Sequence, residues 1–157
     1  MAKHTLTSTQ LIHAEIEEIW QFFSSPRNLA TITPPYMNFR ITSQYDTSKG
    51  LYEGQIITYK VSPLLKLPLG WVTEITKVVR HKQFVDEQRK GPYKLWHHEH
   101  VFKQQDDGVL MTDTVTYELP FGVLGELAHA IFVKKQLQGI FDYRTIKIEE
   151  LFNNRKN

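Results

Sequence analysis

Residues 94–119 read KLWHHEHVFKQQDDGVLMTDTVTYEL, two runs of alternating side chains on either side of a polar turn. Alternation with period two is the mark of a half-buried strand, and Asp106-Asp107-Gly108 is hairpin chemistry, so the segment predicts an antiparallel pair. A two-residue turn at Asp107-Gly108 pairs Phe102 with Asp113, His100 with Val115 and His98 with Tyr117. Trp96, His98, His100, Phe102, Met111, Asp113, Val115 and Tyr117 then share one face. His97, Glu99, Lys103, Thr112, Thr114, Thr116 and Glu118 share the other, which is plainly the wet side.

The same pattern recurs upstream at residues 38–45, 55–61, 69–79 and 82–89, with turn signals between the runs. A tight turn at Arg80-His81 pairs Ile75 with Asp86 and Thr73 with Gln88, and pairing across Lys90–Pro92 sets Asp86 near Trp96. Running parity back adds Phe39, Ile41, Tyr45, Ile57, Tyr59, Val61, Trp71, Ile75 and Phe84 to the inner face. Before these strands lie a Thr-rich strand at His4–His13 and a short helix at Glu15–Phe23, whose Ile16, Ile19, Trp20 and Phe23 form one apolar face. A second short helix follows Ser25-Pro26 and is stopped by Thr33-Pro34-Pro35. After Pro120 and Gly122 the period becomes helical, with Leu124, Leu127/Ala128, Ile131, Ile140/Phe141, Arg144, Ile148 and Phe152 on one stripe. Only that long helix can cover the sheet. The expected architecture is α+β: a curved seven-stranded antiparallel sheet around a long C-terminal helix, with two short helices between strands 1 and 2. One domain is expected over residues 1–157, with Arg155 and Lys156 in a frayed tail.

Composition narrows the chemistry. The 157 residues are 41% hydrophobic and 23% charged, which is globular, and 19 Lys+Arg against 17 Asp+Glu leave a net charge of only +2. That balance argues against nucleic acid or an anionic membrane as the default partner. There is no cysteine, so disulfides, thiol nucleophiles and thiolate metal sites are excluded. The N-terminus lacks a signal-peptide core, and the longest apolar run, Leu119–Val133, is interrupted by Pro120, Glu126 and His129. No membrane insertion and a cytoplasmic location are expected. Aromatic residues reach 12% and there are seven histidines, which suits either a large core or a pocket wall.

The inner face also carries Asp86, Gln88, His98, His100 and Asp113. Burying carboxylates without partners costs more than a domain of this size can absorb, so these groups must pair, meet water, or serve a site. A structural buried network and a functional cluster are both consistent with the pattern. His98, His100, Asp113 and Asp86 are the candidate catalytic residues, as an imidazole acid–base pair oriented by carboxylates. Two histidines and Asp113 also make a ligand set that divalent metals accept, although no metal and no cofactor are expected. No phosphate-binding loop, dinucleotide fingerprint or acyl-transfer nucleophile is present. Arg144 falls on the helix face toward the sheet, where it can pair with Asp86 or Asp113. Candidate ligand-binding residues are Phe39, Tyr59, Trp71, Phe84, Asp86, Gln88, Trp96, His98, His100, Phe102, Met111, Asp113, Tyr117 and Arg144.

Several segments carry a family resemblance. They are Ser25-Pro26-Arg27-Asn28-Leu29 with Ile32-Thr33-Pro34-Pro35; Phe84–Gln88 with Gly91-Pro92-Tyr93; Trp96–Phe102; Met111-Thr112-Asp113; Tyr117–Gly122; and Phe141-Asp142-Tyr143-Arg144. In this order they resemble the helix-grip superfamily of START, Bet v 1-like and polyketide cyclase/dehydratase proteins (SRPBCC), and within it the small bacterial ligand-binding group. The resemblance implies a cavity between sheet and C-terminal helix that takes a small, mostly apolar molecule of lipid, polyketide or aromatic type. It equally allows a cyclase or dehydratase working in that cavity, or an interaction protein with a filled core. The glycine-rich loop of the plant allergen branch is missing, so nucleotide or hormone binding is not carried over.

Overall fold

The strands read from the alternating runs are β1 (His4–Ile12), β2 (Arg40–Ile41), β3 (Ile56–Val61), β4 (Leu69–Val79), β5 (Gln83–Lys90), β6 (Leu95–Gln105) and β7 (Gly108–Glu118). They form one antiparallel sheet in the order β1-β7-β6-β5-β4-β3-β2. The computed structural model describes residues 2–46, 48–63 and 66–155, so Lys156 of the expected tail lies outside the described residues. Arg155 is not frayed: its guanidinium reaches Glu18 at 2.7 Å and lies over the Phe152 ring.

The β6–β7 register differs from the expected one by two residues. Gln105 faces Gly108 across the turn, so Asp106-Asp107 are the central pair and His100 opposes Asp113, His98 Val115 and Trp96 Tyr117. The reason is β1. A Cβ on Gly108 (φ +155°) would run into the Ile12 carbonyl, so the glycine serves the close approach of β1 rather than the turn. Asp86 opposes His98 rather than Trp96, because Gln88 folds into the β5–β6 turn and holds both the carbonyl and N–H of Tyr93 at 2.6 and 3.1 Å. Both are shifts of two, which preserve the face. Between β4 and β5 the pairs Ile75–Asp86 and Thr73–Gln88 are as read, with a bulge after Ile75 and His81 at φ +64° in the turn. The strand expected at 38–45 shrinks to two residues. Asn38 is left-handed (φ 47°), and the Ser43 hydroxyl accepts the Thr58 N–H at 3.0 Å, displacing a backbone acceptor from the ladder.

Two short helices, α1 (Ile16–Phe23) and α2 (Pro26–Thr31), follow β1 as the sequence predicts. Ile19 and Trp20 of α1 pack with Phe84, Phe102, Met111, Ile148 and Phe152 in a core at one end of the sheet. Each such fully buried side chain contributes about 1.5–3 kcal/mol. The C-terminal helix is built from α3 (Gly122–Ala128), a π turn at His129–Val133, α4 (Lys134–Ile148) and a second π turn at Glu149–Asn153. Leu137, Phe141, Arg144, Ile148 and Phe152 face the sheet. The π turn at His129 inserts an extra residue and swings the upstream half by about 100°. The stripe read from sequence is therefore broken: Gly125 and His129 are buried, whereas Leu124, Leu127 and Ile131 point to solvent. Glu126 fixes α3 to β1 through His4 (3.0 Å), and the Tyr117 hydroxyl meets His129 Nε2 at 2.8 Å.

Candidate functional site

Sheet curvature and the C-terminal helix enclose a cavity of about 600 Å³. Phe39, Tyr59, Trp71, Phe84 and Trp96 give it aromatic walls, and Asp86, His98, His100 and Arg144 open onto it at one place. Those polar groups converge because strand parity and helix phase agree. His98 and His100 share a face of β6, Asp86 opposes His98 on β5, Asp113 opposes His100 on β7, and Arg144 sits mid-stripe on α4.

Asp113 is the anchor of the group. Only 2% exposed, it accepts from His98 Nε2 at 3.0 Å. His100 Nδ1 lies 3.0 Å from the same oxygen but out of line for a hydrogen bond, so that contact is electrostatic. Arg144 Nη1 is 3.8 Å from the other oxygen. His100 Nε2 meets Asp86 Oδ2 at 2.6 Å, and His98 Nδ1 is 3.7 Å from that atom. His100 is sandwiched between the rings of Phe84 (4.0 Å) and His98 (3.7 Å), and the Arg144 guanidinium lies 4.8 Å over Phe141.

These contacts divide the protons. Burial pushes Asp113 up, but its contacts with His100 and His98 overturn that and hold it well below the usual carboxylate range. Burial opposes Asp86 in the same way, and His98, His100 and Arg144 bring it below its ordinary value. Desolvation, then the neighbouring His100, lower His98. His100 is desolvated too, yet Asp113 and Asp86 raise it. The directions set His100 as the more basic imidazole and His98 as the less basic one, beside two carboxylates and Arg144. A neutral His98 that donates Nε2–H to Asp113 keeps a free base at Nδ1. Two adjacent imidazoles shifted in opposite directions suit accepting a proton at one and delivering it from the other on the same wall.

Four buried polar atoms of the cavity-lining residues have no hydrogen-bond partner among the described residues: Ser24 Oγ, Trp71 Nε1, His100 Nδ1 and Arg144 Nε. Asp86, His98 and His100 also bring ligand atoms within 4.8 Å of one another, a donor set acceptable to a divalent ion. The two imidazoles lie one over the other, however, centroids 3.7 Å apart and planes tilted by 30°, so their in-plane lone pairs run more nearly side by side than toward one point. The same holds for His4 and His129, whose rings stack at 3.5 Å beside Glu126.

Of the residues singled out from sequence, Gln88, Phe102, Met111, Asp113 and Tyr117 do not line the cavity. Gln88 closes the β5–β6 turn, Phe102 and Met111 pack under Trp20, Asp113 lies beneath the histidines, and Tyr117 bonds His129. Residues missed include Phe23, Leu29 and Ile32 near α1 and α2, and Leu124, Phe132 and Ile140 on the C-terminal helix. Helical periodicity gave Phe23 and Ile140 an apolar face without saying that the face meets a cavity.

No protein-family model and no curated protein matches the sequence. Solved structures do resemble the fold. A START superfamily protein from Mycobacterium smegmatis superposes with a TM-score of 0.68 at 14% identity, over 94% of this chain and 99% of that one. The ginseng (Panax ginseng) major latex-like protein 151 gives 0.67 at 13% identity, over 95% and 97%. A nucleoside-diphosphate sugar epimerase from Corynebacterium glutamicum gives 0.66 at 27% identity over 92% of this chain, which spans only 28% of that protein. The chain thus has the helix-grip fold seen in the START superfamily protein and in the ginseng major latex-like protein: a seven-stranded antiparallel sheet around a long C-terminal helix.

Proposed function

We propose that the protein binds a small, mostly apolar molecule of lipid, polyketide or aromatic type in the cavity between sheet and C-terminal helix. The observation that carries this reading is a mostly apolar cavity of about 600 Å³ whose acidic and basic side chains, Asp86, His98, His100 and Arg144, are gathered in one cluster. Aromatic walls supply contact area, and the cluster orients the ligand's polar end. Unpartnered donors in the wall, Trp71 Nε1 and Arg144 Nε among them, favour a hydrogen-bond acceptor at that end. Titration with dodecanoate and dodecylamine, followed by tryptophan fluorescence from Trp71 and Trp96, tests it. Dodecanoate is expected to bind about tenfold or more tightly than the amine, as a charge-assisted hydrogen bond is worth about 1.5–3 kcal/mol. Arg144→Met removes the preference. Equal or tighter binding of the amine refutes the acceptor assignment, and no binding of either probe refutes the cavity as a site for apolar chains.

The placement of His98 and His100 side by side in the cavity wall, with one imidazole lowered and the other raised, favours a second reading, a cyclase or dehydratase. His98 would take a C–H proton alpha to a carbonyl while His100 protonates a departing hydroxyl, leaving a double bond and water. Wild-type protein in D₂O should then exchange the alpha hydrogen of a β-hydroxy ketone. His98→Gln should slow the exchange by about 10²–10⁴-fold, and equal rates would remove this histidine from the chemistry.

A further inference from the structure

The half of the C-terminal helix displaced by the π turn leaves an apolar surface that no described residue covers. Phe121, Val123 and Ile131 are 83%, 85% and 71% exposed, and Leu124 and Phe132 join them. Scattered single apolar residues on a surface mean little, but a contiguous set of this size is unusual for a protein that works alone in water. The patch is also the mouth of the cavity: Phe121, Leu124, Phe132 and, across the opening, Leu69 both line the cavity and face solvent.

Charge decides what fits there. The net charge of +2 for the whole chain conceals a local excess. Glu126 is the only acid in residues 119–135, and it is paired with His4. Exposed Lys134 and Lys135 continue the helical face of Ile131 one turn on. On the strand side Arg40, Lys60 and Lys66 gather around a smaller cleft that shares Phe39 with the cavity. An apolar rim bordered on both sides by cations is complementary to a surface of anionic headgroups over hydrocarbon. A soluble acidic protein would match the lysines but leave Phe121 and Val123 unused.

We propose that the cavity mouth docks onto anionic lipid membranes, with Phe121, Leu124 and Ile131 entering the interface and Lys134 and Lys135 on the headgroups. No helix among the described residues is long and apolar enough to cross a bilayer, so the contact is peripheral. Docking would let an apolar ligand pass between bilayer and cavity without crossing water. The proposal does not depend on which molecule the cavity takes, and vesicle binding is read without any ligand, so the two readings fail separately.

The test is flotation with vesicles of phosphatidylcholine alone and of phosphatidylcholine with phosphatidylglycerol. The protein should float with the mixed vesicles and be released by salt. Each lysine near such a surface multiplies partitioning about fivefold, so Lys134→Ala/Lys135→Ala should weaken it about 25-fold. Leu124→Glu/Ile131→Glu should abolish it. Both of these positions are exposed, and an unchanged thermal unfolding midpoint shows that the fold is intact. Absence of binding to the mixed vesicles, or equal binding to neutral ones, overturns the proposal. So does a concentration-dependent dimer that the glutamate variant dissolves, which would give the patch to a second copy of the chain.

Discussion

Replacing Asp113 by Asn tests whether the buried cluster is one electrostatic unit. The substitution keeps the shape and an acceptor for His98 Nε2 but deletes the charge that faces His98, His100 and Arg144 at 3.0, 3.0 and 3.8 Å. Removing one partner of a buried ion pair costs about 3–5 kcal/mol. A retained neutral hydrogen bond returns about 1 kcal/mol of that. The expected loss is therefore about 2–4 kcal/mol, a large share of the roughly 5–15 kcal/mol available to a domain. Urea unfolding at neutral pH measures it. Without the Asp113 charge, Asp86 is the one carboxylate left to raise His100, so His100 should also titrate lower when followed by NMR. Arg144→Met in the same background should cost less than it does alone, with a coupling above about 1 kcal/mol. A loss below about 1 kcal/mol, or additivity within about 0.5 kcal/mol, would refute the reasoning that these groups balance one another.

Stability should peak near pH 6.5, the ordinary histidine value of about 6.5. As pH falls toward it, the folded state protonates His100 first and gains stability; below it, the unfolded chain protonates His98 and His129 first and stability falls. Further loss follows below about pH 4, where the depressed Asp86 and Asp113 resist protonation in the folded state. A urea midpoint that changes monotonically between about pH 5 and 9 contradicts the opposed shifts. Gly108→Ala forces a Cβ against the Ile12 carbonyl and should destabilise by about 1–3 kcal/mol, read by thermal unfolding. An unchanged midpoint would mean that β1 can move away at no cost. Trp71→Phe removes an unpartnered buried donor, so stability should stay within about 1 kcal/mol of wild type while dodecanoate affinity falls. Unaltered dodecanoate affinity would show that the indole does not meet the ligand.

The fold was legible wherever side-chain parity decided it. A face assigned by alternation survives a register shift of two, which is why parity puts His98, His100 and Asp86 together although both hairpin registers lie two residues from those that local turn chemistry predicts. The turns themselves depended on distant contacts, β1 against Gly108 and Gln88 against Tyr93, which local turn chemistry does not reveal. The short β2 has the same kind of cause, since the Ser43 hydroxyl competes with the ladder. The polar cluster was largely readable, including Arg144 beside Asp113, because strand and helix periods both point inward there. The mouth was not. One extra residue in a π turn leaves no sequence signal, yet it moves Leu124 and Ile131 from the expected inner stripe to the surface.

Ligand binding in the cavity is the central claim, and native mass spectrometry of protein purified without detergent or organic solvent measures it directly. The account predicts a species heavier than the polypeptide by the mass of one small molecule, released on denaturation and recovered in an organic extract. It predicts less of that species for Arg144→Met. A wild-type protein that carries only its polypeptide mass and takes up no added dodecanoate under the same conditions would contradict it.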